Sequence, residues 1–208
     1  YDMVNIVFDL ETTGIPIMRS YNEYYDYKDL EKYERSRICQ IAYMCVDDDY
    51  NIISEKEFKI KGIDVGDSVK YHNLTNDILE KHGRCFKDVI KEIYEDFNNC
   101  KSLIAHNINF DLNVLSSELY RSGYLKFSSM IRKKNIRCSM LMLKNRVCAL
   151  NKYGKVKYPT LTELHQYAFG NDIEIKNAHN AYYDVLALVE SLKELKRNHG
   201  ICILNGFS

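Results

Sequence analysis

Hydrophobic positions along this chain follow two rhythms. Up to about residue 60 they run unbroken or alternate; beyond residue 75 they recur every three or four places. Residues 4–9 are apolar and β-branched, which predicts a strand, and Glu11-Thr-Thr-Gly14 is a turn signal that ends it. Residues 38–46 form a second strand, 47–51 a turn, and 52–60 alternate as a third strand. Short connections between them predict an antiparallel meander. Residues 17–36, between the first two strands, are a tyrosine-rich insertion with one short helix expected at 26–34.

The period then changes. Residues 75–81 suit a short helix with Thr75 as its N-cap. Residues 86–97 place Phe86, Val89, Ile90, Ile93, Tyr94 and Phe97 on one helical face. Residues 102–105 are a short apolar strand, 111–122 a helix stopped by Gly123, and 135–138 a last strand. Helices are expected at 140–148, at 161–169 between Thr160 and Gly170, and at 181–196, where Val185, Leu188, Val189 and Leu192 recur. A meander followed by alternating helices and strands predicts one α/β domain over residues 1–208, its central mixed sheet flanked by helices.

Composition narrows the class. The chain has 208 residues, 46% of them hydrophobic, and two prolines, enough to bury a core and unlike a disordered segment. No apolar run approaches the ~18 residues of a membrane span, so no membrane partner is expected. The first residues carry no basic, apolar and small-residue targeting signal. Seven cysteines without a C-x-x-C pair fit free thiols in a reducing, intracellular compartment. With 29 basic and 29 acidic residues, net charge is zero, and bulk charge does not announce a polyanion binder. Its distribution says more: residues 126–157 hold ten Lys or Arg and no acid. That segment is either a solvated face or the footprint of a polyanion.

Three stretches carry candidate chemistry. Asp9 and Glu11 lie two apart at a strand end, on one face, where paired carboxylates repel unless protonated or bound to a cation. A hard divalent cation such as Mg²⁺ suits oxygen ligands. His106, Asn107 and Asp111 crowd the junction of a buried strand and a helix, where open α/β sheets bind ligands. His179 and Asp184 bracket the start of the last helix, and the loop can bring His179 to the site that Asp184 faces. Singly, each has an ordinary reading: a pair of exposed acids, an acid favoured by a helix dipole, a loop histidine.

Taken in order, VFDLETTGIP, HNINFDLNVL and HNAYYD resemble the three motifs of the DEDDh (DnaQ-like) 3′→5′ exonucleases of the ribonuclease H-like superfamily. HNLTNDIL at 72–79 is similar to the segment before that family's first long helix. The resemblance covers roughly residues 4–195. It implies a ribonuclease H-like fold and hydrolysis of single-stranded DNA or RNA from the 3′ end to nucleoside 5′-monophosphates. Asp9, Glu11, Asp111 and Asp184 would bind two Mg²⁺ ions, with Mn²⁺ as a substitute, and His179 would be the general base. A histidine suits that task because its reference pKa, about 6.5, straddles working pH. The backbone of Thr12 would touch the terminal 3′-hydroxyl, Ile15 would wedge between the last bases, and His106 and Asn107 would adjoin substrate. Phe110 is read as core. Arg132, Lys133, Lys134 and Arg137, with Lys155 and Lys157 nearer the next helix, would guide the strand.

The partner implied is a nucleic acid with a free 3′ end. Two rival readings remain: a binding module on the same fold, and a proofreading subunit active only beside a polymerase. In the second, the Tyr-rich insertion would be a docking surface rather than a substrate-side flap. The residues leave oligomeric state open.

Overall fold

The computed structural model describes residues 4–170, 175, 177 and 179–205. Its strands are β1 (Asn5–Thr12), β2 (Met18–Ser20), β3 (Glu23–Tyr24), β4 (Ile38–Val46), β5 (Ile52–Lys59), β6 (Ser102–Ala105) and β7 (Asn135–Cys138). Five of them make one mixed sheet in the order β5-β4-β1-β6-β7. β1 and β4 run antiparallel from Asn5↔Val46 to Thr12↔Ile38, and β5 continues the meander. On the other side of β1, β6 and then β7 add parallel to it. The ends of β1, β6 and β7 therefore lie along one edge. The ribonuclease H-like, mixed-sheet expectation holds.

The helices are α1 (Val69–His72), α2 (Asn76–His82), α3 (Phe86–Asn99), α4 (Ile108–Arg121), α5 (Leu125–Ile131), α6 (Ser139–Met142), α7 (Lys144–Val147), α8 (Leu161–Phe169) and α9 (Ala181–His199). They cover both sheet faces, which is why all nine residues of β4 are buried and its sequence is almost unbroken apolar. Along β1 the side chains split by parity. Ile6, Phe8 and Leu10 join a core with Ile93 and Phe97 of α3 and Leu115 and Leu119 of α4. Val7 belongs to the opposite core, with Leu164 of α8 and Val185, Leu188 and Leu192 of α9. Asp9 and Glu11 continue the parity of Val7, so they project on the α9 side. Among the described residues no helix is long and apolar enough to cross a membrane.

Several boundaries differ from expectation for identifiable reasons. β1 runs to Thr12 rather than Asp9, because β4 pairs with it past the acids and accommodates a bulge at Glu11/Thr12. α4 starts at Ile108, since Asn107 takes a left-handed conformation (φ 67°) that turns strand into helix at once. The single helix expected at 140–148 is two short ones, α6 and α7, separated at Leu143. The insertion holds a 3₁₀ turn (Leu30–Tyr33) in place of a helix, and β2 pairs with β3 as a small hairpin. α5 was not expected; it folds because Phe127 and Ile131 bury against the α3–α4 core.

Candidate active site

The chemistry gathers at the edge where β1 and β6 end. β1 delivers Asp9 and Glu11, and the first turn of α9 delivers Asp184. These three carboxylates each place an oxygen within 4.8 Å of the others. From across the sheet edge, the first turn of α4 adds Asp111, only 2% exposed, whose Oδ1 is buried without a hydrogen-bond partner. Their charges act on one another. Burial raises Asp9 well above the usual carboxylate range, and the charges of Asp111, Glu11 and Asp184 add to it. Burial likewise raises Asp111, with Glu11 contributing. Glu11 is pushed up to about 8 by burial and Asp184. Asp184 rises to about 6 through burial, opposed by the neighbouring His179.

Such a cluster is costly as bare anions. Its donors are all carboxylate oxygens, one of them orphaned, and that set fits a hard divalent cation. The residues present therefore suit the metal that the motifs imply.

His179 is exposed, with φ 66°, immediately before the Asn180 cap of α9. Its backbone N–H donates to Asp184 Oδ2 at 3.2 Å, which ties the loop to the carboxylate. Thr12 is half-buried, and its Oγ1 donates to the Gly14 carbonyl at 2.8 Å. Ile15 stands free, 59% exposed. Asn107 occupies the cap of α4, with its Oδ1 buried and unpartnered. Phe110 packs against the α3–α4 core.

Other expected contacts lie elsewhere. His106 uses both ring nitrogens inside the fold: Nε2–H donates to the Pro159 carbonyl at 2.9 Å, and Nδ1 meets Ser139 Oγ at 2.9 Å. Burial lowers it to about 4, so it is a neutral fastener with no nitrogen left for substrate. The basic segment is not one surface. Lys133 and Lys134 precede β7, and β7 runs parallel to β1, so both lie at the edge away from the carboxylates. Lys134 Nζ donates there to the Cys100 carbonyl at 3.2 Å. Arg137 donates to the Leu204 carbonyl at 3.1 Å. Arg132 donates to Asn113 Oδ1 at 3.0 Å and lies over the Tyr27 ring at 4.8 Å. With Asn22, Tyr24 and Asn109 it lines a cavity of about 410 Å³ beside α4.

Two residues at the site escaped the sequence reading. Gln40 is fully buried in β4 beside Glu11, and its Oε1 accepts from Ala181 N–H at 3.1 Å, pinning the first turn of α9. A lone amide within ICQIAYMCV was the available signal. His72 is buried, accepts from Leu74 N–H at 3.1 Å and contacts Ser68 Oγ at 3.0 Å. Burial lowers its pKa, while a hydrogen bond to the backbone of Thr12 acts against that.

A family model described as Exonuclease (RNase_T) matches residues 6–192. The chain belongs to this exonuclease family. Its fold is ribonuclease H-like. No curated protein matches it in sequence. Solved structures match it in fold. Escherichia coli exonuclease I in complex with a dA16 oligonucleotide gives a TM-score of 0.71 at 20% identity, over 96% of this chain and 42% of that one. A product-bound exonuclease I gives 0.69 at 18% identity, over 96% and 45%. Exonuclease I from Methylocaldum szegediense gives 0.68 at 18% identity, over 95% and 41%. The exonuclease domain thus spans roughly two fifths of the length of the exonuclease I chains it matches.

Proposed function

We propose that this exonuclease domain hydrolyses single-stranded DNA from its 3′ end, releasing nucleoside 5′-monophosphates. The observation that carries the reading is the four-carboxylate cluster, with Asp9, Glu11 and Asp184 oxygens within 4.8 Å and a buried, unpartnered Asp111 oxygen beside them. Asp9, Glu11, Asp111 and Asp184 would hold two Mg²⁺ ions, or Mn²⁺ in their place. Bound there, divalent cations supply Lewis acidity and offset the negative charge of the phosphodiester. His179, exposed and tied through its N–H to Asp184, accepts the proton of the attacking water. A phosphorus–oxygen bond forms to that water, the bond to the 3′-oxygen breaks, and the leaving oxygen is protonated from solvent. Thr12 and the exposed Ile15, just beyond Glu11 in the chain, would meet the terminal sugar and base. DNA is favoured over RNA because the structural relatives include complexes with dA16 and dT13 oligonucleotides.

The test uses 5′-labelled DNA and RNA of one sequence, in Mg²⁺, Mn²⁺ and chelator, with an Asp9→Ala, Glu11→Ala variant alongside. A metal-dependent ladder shortening from the 3′ end of DNA, absent in the variant, is expected. Intact strands in every metal would overturn the proposal, and faster loss of RNA would overturn its substrate.

A further inference from the structure

Tyr21 occupies the tip of the β2–β3 hairpin and is 74% exposed, yet it does not stand alone. Its ring lies nearly parallel to that of Tyr158, with the planes 17° apart and the centroids separated by 6.3 Å. Tyr21 comes from the acidic, Tyr-rich insertion, and Tyr158 directly follows the basic segment 126–157. A cation adjoins the pair as well: Lys144 Nζ lies 4.5 Å from the Tyr158 centroid.

Both rings are anchored to the edge of the sheet that bears the carboxylates. Next to Tyr21, the Asn22 carbonyl accepts from Asn109 Nδ2 at 2.6 Å, in the same helical turn as Asp111. Next to Tyr158, the Pro159 carbonyl accepts from His106, at the end of β6. On the other arm of the hairpin, Tyr24 is pushed up to about 12 by burial and by the Asp111 charge, so the hairpin itself borders the cluster. Tyr158 is half-buried against the β1–α3–α4 core, whereas the exposed Tyr21 ring contributes little to the fold. At that centroid separation the two rings stack directly on one another with an offset. A flat ligand between them needs about 3.5 Å on each side, so a base would enter by displacing Tyr21 at the hairpin tip from Tyr158.

We propose that Tyr21 and Tyr158 form an aromatic clamp that stacks one nucleobase of the incoming strand near its 3′ end, with Lys144 meeting the adjoining phosphate. A base can enter only when it is free of its complement, so the clamp makes the exonuclease selective for single strands. Stacking of this kind tolerates any base. The inference rests on the proposed single-strand activity and names one subsite for it.

The test measures anisotropy of 5′-labelled oligodeoxynucleotides in chelator, and kcat and KM in Mg²⁺, for wild type, Tyr21→Ala, Tyr158→Ala and Tyr21→Phe. The oligonucleotides carry a single abasic site moved stepwise from the 3′ end. Each alanine variant should bind about 5- to 100-fold more weakly, with KM raised by a similar factor, kcat preserved and the melting temperature of Tyr21→Ala unchanged. Tyr21→Phe should bind like wild type. One abasic position should weaken wild type by a similar factor and cost Tyr21→Ala nothing further. If wild type degrades single strands while Tyr21→Ala binds within twofold, or both show the same abasic profile, the clamp is wrong and the exonuclease reading stands. If wild type neither binds nor cleaves, that reading falls and the clamp with it.

Discussion

Replacing Glu11 with glutamine should stabilise the metal-free domain, and by an amount that grows with pH. Unfolded, this carboxyl ionises near 4.5; folded without a cation, burial and the Asp184 charge move it to about 8. Between those values the folded chain keeps a proton that the unfolded chain has released. Stability therefore falls as pH rises through that window, opposite in sign to the effect of a salt-bridged acid. Integrating the linkage gives a penalty of roughly 3 kcal/mol at pH 7 and under ~1 kcal/mol at pH 5. Glu11→Gln keeps the shape and removes the proton equilibrium. For a domain of this length its melting temperature in chelator should exceed wild type by about 6–12 °C at pH 7, and by ~3 °C or less at pH 5. Saturating Mg²⁺ should reverse the order, because the variant has lost a ligand. Calorimetry or circular dichroism in chelator and in millimolar Mg²⁺ reads both effects. A difference that is absent, or equal at pH 5 and pH 7, would refute the account of the cluster.

His179→Ala should cut kcat by about 10²- to 10⁴-fold, measured on single-stranded DNA, while the Mg²⁺-dependent rise in melting temperature stays as in wild type. Gln40→Leu strips the acceptor from the buried Ala181 N–H, at a cost of about 1–3 kcal/mol. Denaturant titration should register that loss, together with a fall in kcat as the first turn of α9 loosens. Lys134→Ala should leave the salt dependence of DNA binding untouched, because the side chain sits at the other end of the sheet, whereas Lys144→Ala should make the slope shallower by up to about one. A shallower slope in Lys134→Ala would show that the strand runs much farther than the site suggests.

The sheet was legible because β1, β4 and β6 are largely apolar runs, and a strand covered on both faces supports such a run. The cluster was legible because Asp9, Glu11, Asp111 and Asp184 interrupt those runs or follow them at helix starts. Gln40 was not, since one amide among eight neighbours of β4 looks like tolerance until its partner on α9 is known. The segment 126–157 does not act as one surface, for a topological reason. It crosses the sheet with β7, so charges adjacent in sequence separate to opposite edges, and Lys134 ends capping carbonyls near α3. His106 misled because a polar residue at a strand end faces a ligand in some loops and a neighbouring loop in others. The hydrogen bonds of Pro159 and Ser139 decide which.

The parity of β1 also guards against misfolding. A slip of one residue against β4 would turn every side chain of β1 to the other face. Asp9 and Glu11 would then enter the apolar layer of Phe97 and Leu115, while Phe8 and Leu10 would rotate toward the acids of the cleft. Both errors are expensive, and they occur together. The residues that equip the site for chemistry thus act as an error check on strand assembly, and a variant neutral at both positions would give up that safeguard along with its catalysis.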